Sequence, residues 1–168
     1  MNTAELLEDA FGRVRESVHG AVEGLSGDDL CARIDGTSNS IAWLVWHLTR
    51  VQDDHVSEVA GTDQLWTSSG WRVRFGLPLE AVDTGYGHSL EQVGMVTADG
   101  AALLGYFDSV HEATLRFVRG LRDADLDRVV DERWDPPVTL GVRLVSVADD
   151  DLQHAGQAAF VRGVLDRR

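Results

Sequence analysis

The 168-residue chain has no lysine, a single cysteine, three prolines and no long hydrophobic run. Each scarcity narrows the field. With 28 acidic residues against 15 basic ones, all of them arginine, the formal net charge is −13. Such a charge repels phosphate backbones and anionic headgroups, which argues against nucleic-acid and membrane partners. Cys31 alone cannot close an intrachain disulfide, and no C-x-x-C pair marks a sulfur-ligated metal or a redox dithiol. A reducing cytoplasm is the expected compartment. The opening stretch MNTAELLEDAFGRVRES is acidic and amphipathic, so it reads neither as a signal peptide nor as a membrane span. G-x-S-x-G, P-loop and dinucleotide fingerprints are also missing. The length suits one domain, residues 1–168, with a core large enough to be stable without crosslinks.

What the sequence does hold is helical periodicity. Leu6, Leu7, Ala10, Phe11, Val14 and Val18 recur at spacings of three and four and predict a helix over residues 3–25, with Thr3 as N-cap. IAWLVWHLTRVQDDHVSEVAG predicts a second, capped by Ser or Asn of the preceding DGTSNS and stopped at Gly61. A third is predicted over roughly residues 99–121 and a fourth from Leu140 to about Asp166, opened by Thr139. Between residues 62 and 98 the period breaks up among Gly, Pro, Ser and aromatics. That segment is too long for an idle connection and is a candidate cover for a site; within it Ser89 and Gln92 stand at capping-box spacing and predict one short helix. LDRVVDERWDPPVTLG reads as an extended excursion or small hairpin anchored by Trp134. Four long helices with long connections predict an all-α four-helix bundle.

The last helix carries a contradiction. Val147, Ala158, Val161 and Leu165 outline its apolar stripe, and Asp150 and His154 are expected on that same stripe. Four residues apart, the acid and the imidazole share a face at about 5–6 Å between Cβ atoms. His47 interrupts the second helix in the same way, on a side with Leu44 and Val51. Burying such groups uncompensated costs several kcal/mol each in the charged form. One divalent metal satisfies all three: two imidazoles and a carboxylate suit zinc, and also nickel, iron or manganese, and three protein ligands leave one position open. The plain alternative is an i,i+4 ion pair beside a hydrogen-bonded core histidine.

Asp150-x-x-x-His154-x-Gly156-Gln157, joined to Trp46-His47-Leu48, resembles the DinB-like superfamily of four-helix-bundle metal proteins. In that family a histidine of the second helix and a pair one turn apart on the last helix hold a divalent metal. His47 and His154 match, and Asp150 stands where many members have histidine and where mycothiol-dependent maleylpyruvate isomerase has glutamate. SNSIAWLVWHLTRVQDDH is similar to the subgroup of small mycothiol S-transferase-like proteins. The all-arginine bias, common in high-GC genomes, is compatible with mycothiol, a thiol of high-GC bacteria. The resemblance implies crossover connections in the bundle, metal ligation by His47, Asp150 and His154, and a low-molecular-weight thiol cosubstrate such as mycothiol. Transfer of its sulfur to a small electrophile, as in detoxification, is the implied activity; a non-catalytic metal- or ligand-binding bundle of a stress response is the alternative. A homodimer is compatible with the resemblance.

A thiol coordinated to such a metal is deprotonated, and the thiolate is the reactive species. Asp54 and Asp151 are expected as solvated or paired surface acids rather than groups that orient the ligands. Trp66, Trp71, Arg72, Arg74, Tyr86 and His88 are candidates for a pocket wall. His19, His55 and His111 are expected at helix surfaces or half-buried, outside the ligand set, and Cys31 as a small apolar filler.

Overall fold

The computed structural model describes residues 1–168. In chain order the helices are α1 (Thr3–Val22), α2 (Gly27–Cys31), α3 (Ile41–Ala60), α4 (Leu65–Ser68), α5 (Trp71–Phe75), α6 (Leu90–Met95) and α7 (Gly100–Arg119). A 3-10 turn (Asp123–Asp127), strands β1 (Val129–Asp131) and β2 (Val138–Thr139), and α8 (Leu140–Leu165) complete the chain. The four long helices α1, α3, α7 and α8 form the bundle.

Each long helix starts on a side-chain oxygen that satisfies an otherwise unpaired N–H. Ser40, Asp99 and Thr139 accept from Trp43, Ala102 and Val142. In α1 the cap is Asn2, in a reciprocal box with Glu5, one residue before the expected Thr3. Gly61 ends α3 with φ at 68°, a conformation that favours glycine. The first helix stops at Val22, short of the expected residue 25, because Ser26 caps the separate helix α2.

Polar links fix the helix directions. Arg15 meets Asp108 and Arg119 meets Glu8, so α1 and α7 are antiparallel. Arg143 meets Glu58 while His154 meets His47, so α3 and α8 are antiparallel. Tyr106, in the first half of α7, donates to Asp53, while Val118 at its end packs in one cluster with Val56 and Val59, so α3 and α7 run parallel. Parallel neighbours need a crossover, and the chain between them, carrying α4, α5 and α6, provides it.

The core has two apolar clusters. Val14, Val18, Trp46, Tyr106, Phe107 and Ala155 belong to the larger, against which Cys31 packs as the expected filler. Phe11, Val56, Val118, Leu140, Leu144 and Val147 form the smaller. The hairpin is held by the antiparallel β1–β2 pair and by Asp131, whose carboxylate accepts from Arg143. Trp134, 66% exposed, is not its anchor.

The phase of α8 corrects a sequence expectation. Its buried face runs Leu144, Val147, Asp151, Ala155, Ala158, Val161. Asp150 and His154 each precede a residue of that line, Asp151 and Ala155, and both are half-buried at the edge of the core. The acid on the stripe is Asp151, which is 0% exposed and has no hydrogen-bond partner on either oxygen. It is not a surface acid: burial, with Asp150 adding to it, pushes its carboxyl well above the ordinary range.

Candidate metal centre

His47 lies four residues after Trp43 on α3, and helical spacing stacks the two rings with centroids 4.6 Å apart at 17°. Its side of the bundle is covered by the crossover chain, leaving His47 6% exposed. Nδ1–H of His47 donates to the Thr84 carbonyl. That bond fixes the tautomer and leaves Nε2 with a free lone pair. Burial lowers the His47 pKa, so the ring is neutral and able to ligate.

Across from it, Asp150 and His154 form an i,i+4 pair on α8, with Nε2 of His154 3.6 Å from Oδ1 of Asp150. Nδ1 of His154 donates to Gln157 Oε1 at 2.9 Å, which again leaves Nε2 as the ligating atom. The nearby Asp150 carboxylate raises the His154 pKa against the opposing effect of burial. The two imidazole centroids are 4.7 Å apart and the rings meet nearly at right angles. One ligating atom from each of His47, Asp150 and His154 lies within 4.8 Å of the others. A divalent ion bound here would be held by these three residues.

The donor set fits such an ion. Oδ2 of Asp150 is buried and has no hydrogen-bond partner, an arrangement that costs about 1–3 kcal/mol or more for a charged group until something satisfies it. A divalent cation does so while accepting two neutral imidazoles. The side chains of His154 and Asp150 keep 18% and 32% exposure, so the point that the three groups surround is reachable from solvent.

A strap of chain from Asp83 to His88 holds the Thr84 carbonyl in place. Asp83 Oδ1 accepts from Gly85 N–H and from His88 Nε2–H, each at 2.9 Å. Trp43 Nε1–H donates to His88 Nδ1 at 3.1 Å, tying the strap back to α3. Gly85 packs so closely, with φ at 94°, that a Cβ there would stand 2.8 Å from His47 Nδ1. Below the strap, the fully buried Arg50 donates from Nε to the Asp83 carbonyl at 3.1 Å and pairs with Asp53 at 3.7 Å. Asp53 in turn accepts the backbone N–H groups of Leu65 and Trp66 at 2.9 and 2.8 Å, supplying the cap that α4 lacks from its own residues.

Of the wall candidates, His88 alone bonds within the strap. Trp66 is buried in the core, Trp71 packs over Gly105, and Arg74 stacks on Trp71. Arg72 is exposed, and Tyr86 is 94% exposed. Asp54 is paired, accepting from Gln64 at 2.6 Å. His19 bonds to Glu23 and Asp108, and His55 to Arg143. His111 is buried rather than at the surface, because it stacks on Phe107. Thr84 and Asp83 escape sequence reasoning, since a backbone carbonyl carries no residue-type signal.

No helix is long and apolar enough to cross a membrane. No curated protein matches the chain. A crystal structure described as that of a conserved protein from Enterococcus faecalis is similar, with a TM-score of 0.93 and 28% identity over 100% of this chain and 99% of the other. The DinB superfamily pattern matches residues 10–158, a span that contains the whole His47, Asp150 and His154 constellation, and the chain belongs to that superfamily.

Proposed function

We propose that this chain is a divalent-metal-dependent thiol S-transferase, with His47, Asp150 and His154 as the metal ligands and a low-molecular-weight thiol such as mycothiol as cosubstrate. The observation that carries the reading is the convergence of two oriented Nε2 lone pairs and an unpartnered carboxylate oxygen at one solvent-reachable point. His47, Asp150 and His154 would hold a divalent ion there, zinc foremost and otherwise nickel, iron or manganese, and the chemistry it would supply is to favour the thiolate form of a thiol near neutral pH.

The protein's own residues do the rest. Thr84 and Gln157 keep both imidazoles in the ligating tautomer. Trp43 walls one side of the His47 ring and keeps water from it. In the transfer, the thiol loses its proton to solvent, its sulfur forms a bond to an electrophilic carbon, and the leaving group departs with its bonding pair. The residues would hold the ion and exclude water rather than take part covalently.

The first test is the metal content of protein purified without added metal or chelator, for wild type and His47→Ala. One divalent metal per chain, absent from the variant, supports the site. No metal, even after addition of zinc, nickel, iron or manganese, overturns it. Thiol transfer to a small electrophile that disappears in His154→Ala supports turnover. Tight metal binding with no transfer would leave a metal-sequestering bundle instead.

A further inference from the structure

We propose that Gln52, Thr114 and Asp151 form a polar layer across the bundle that fixes the rotational register of α8, which makes Asp151 a positioning residue for Asp150 and His154. The proposal rests on the metal reading above, in which those two residues are ligands.

The layer lies where the two apolar clusters meet. On α3, Leu48 belongs to the larger cluster and Val56 to the smaller, and Gln52 stands midway between them. Thr114 divides Val110 from Val118 on α7 in the same way, and Asp151 divides Ala155 from Val147 on α8. Each of the three is about one turn from either neighbour, and each is fully buried. Gln52 Nε2–H donates to Thr114 Oγ1 at 2.7 Å, joining two of the helices. Gln52 Oε1 and both oxygens of Asp151 are buried without a hydrogen-bond partner. Polar groups of this kind are penalised most against hydrocarbon, so the carboxyl is better placed at the level of an amide and a hydroxyl than anywhere else in the core.

Apolar packing alone does not choose this register. One residue on from the buried face of α8 runs a second apolar row, Val145, Ala148, Leu152, Gly156 and Ala159. Val145 is 64% exposed and Leu152 46%, where a surface helix ordinarily carries charge. Turning α8 by one residue, about 100°, would bury that row instead. Leu152 would enter the layer, Asp151 and Ala155 would take the places of Asp150 and His154, and the centre would lose an imidazole. Arg143 bonds to His55, Glu58 and Asp131, and Arg162 bonds to the Glu23 carbonyl. Between those two arginines the side chains of α8 hydrogen-bond only within the helix. Over that stretch the sharpest difference between the two rows is the carboxyl, which matches the layer where Leu152 does not. A single buried polar group that selects one register, at some cost in stability, is a known device of packed helices.

The test replaces the layer by hydrocarbon and then repairs the match. Full-length wild type is compared with the Gln52→Leu, Thr114→Val double variant and with the same pair plus Asp151→Leu. Competition with a chromophoric chelator reads zinc affinity. In the metal-free proteins, NMR reads the register from the His154 ring protons, which feel the ring current of Trp43, its centroid 6.1 Å from that of His154. We expect the double variant to bind zinc about tenfold more weakly, as when the competent register falls to a tenth of the population, with its His154 signals shifted. Adding Asp151→Leu restores both, the affinity to within about threefold of wild type. Should the double variant fail to fold, Gln52→Leu alone, with and without Asp151→Leu, carries the same comparison. A double variant that matches wild type in zinc affinity and His154 shifts, or a loss that Asp151→Leu does not repair, overturns the layer as the register device and leaves the metal centre standing. A wild type that takes up no zinc overturns the metal reading, and the positioning role of Asp151 with it, while the His154 shifts still decide the register.

Discussion

Replacing Gly85 by alanine should weaken metal binding without touching a ligand. The residue has φ at 94°, and an added Cβ would lie 2.8 Å from His47 Nδ1, 3.0 Å from Trp46 Cζ3 and 3.2 Å from Trp43 Cζ2. None of those three rings can yield: Trp46 is 1% exposed, and Trp43 and His47 are stacked on one another. The strap must lift instead, and lifting it breaks the bond from His47 to Thr84. The backbone conformation alone costs an L-residue about 1–2 kcal/mol, and with the crowding the total is about 2–3 kcal/mol. For a chain of this size that lowers Tm by roughly 4–12 °C. Losing the partner that orients a ligating histidine reduces metal affinity by about 10- to 100-fold. Competition against a chromophoric chelator reads the affinity, and calorimetry of the metal-free protein reads the stability. A Gly85→Ala protein that holds zinc within twofold of wild type would refute the idea that the strap sets the His47 geometry.

Other consequences follow from groups away from the ligands. Arg50→Leu removes the cation beside Asp53 and frees the Asp83 carbonyl; breaking a buried pair costs about 3–5 kcal/mol, so Tm should fall by roughly 6–20 °C with new protease cleavage between residues 62 and 88. A fall under about 2 °C would mean that the pair does not hold the crossover down. His111 has its pKa lowered chiefly by burial, from an ordinary value of 6.5. The unfolded chain therefore takes up the proton first, and the stability that His111 contributes is whole above about pH 6.5 and lost as pH falls through the lowered folded value. His111→Gln should flatten the decline of Tm between about pH 7 and 5; identical profiles for the two proteins would discount the histidine.

The bundle was legible because each long helix repeats its apolar residues at three and four and carries its own caps, as Ser40, Gly61 and Thr139 do. That His47, Asp150 and His154 come together was legible from the one-turn spacing of the acid and imidazole on α8 and the lone imidazole of α3, although Asp150 and His154 stand at the edge of the core and the acid that interrupts the apolar face is Asp151. The phase of α8 was harder. Asp149, Asp150 and Asp151 are consecutive, and a difference of 100° between neighbours decides which enters the core. Only packing against the other three helices resolves that. The crossover was least readable, since its short helices are fixed by remote partners: α4 by Asp53, and α5 by the space that Gly105 leaves for Trp71.

Gln157, His154 and Asp150 all project from α8, beside the face that carries Val147, Ala155 and Val161 into the core. The helix thus works as a camshaft, with every lobe cut on one rod. Turning it about its axis would shift two candidate ligands and the amide that orients one of them as a single unit, relative to a His47 pinned independently by the strap. Core substitutions that alter how α8 seats, even those well away from the centre, should consequently change metal affinity and rotational seating together, so that the apolar interior serves as the gauge to which the centre is set.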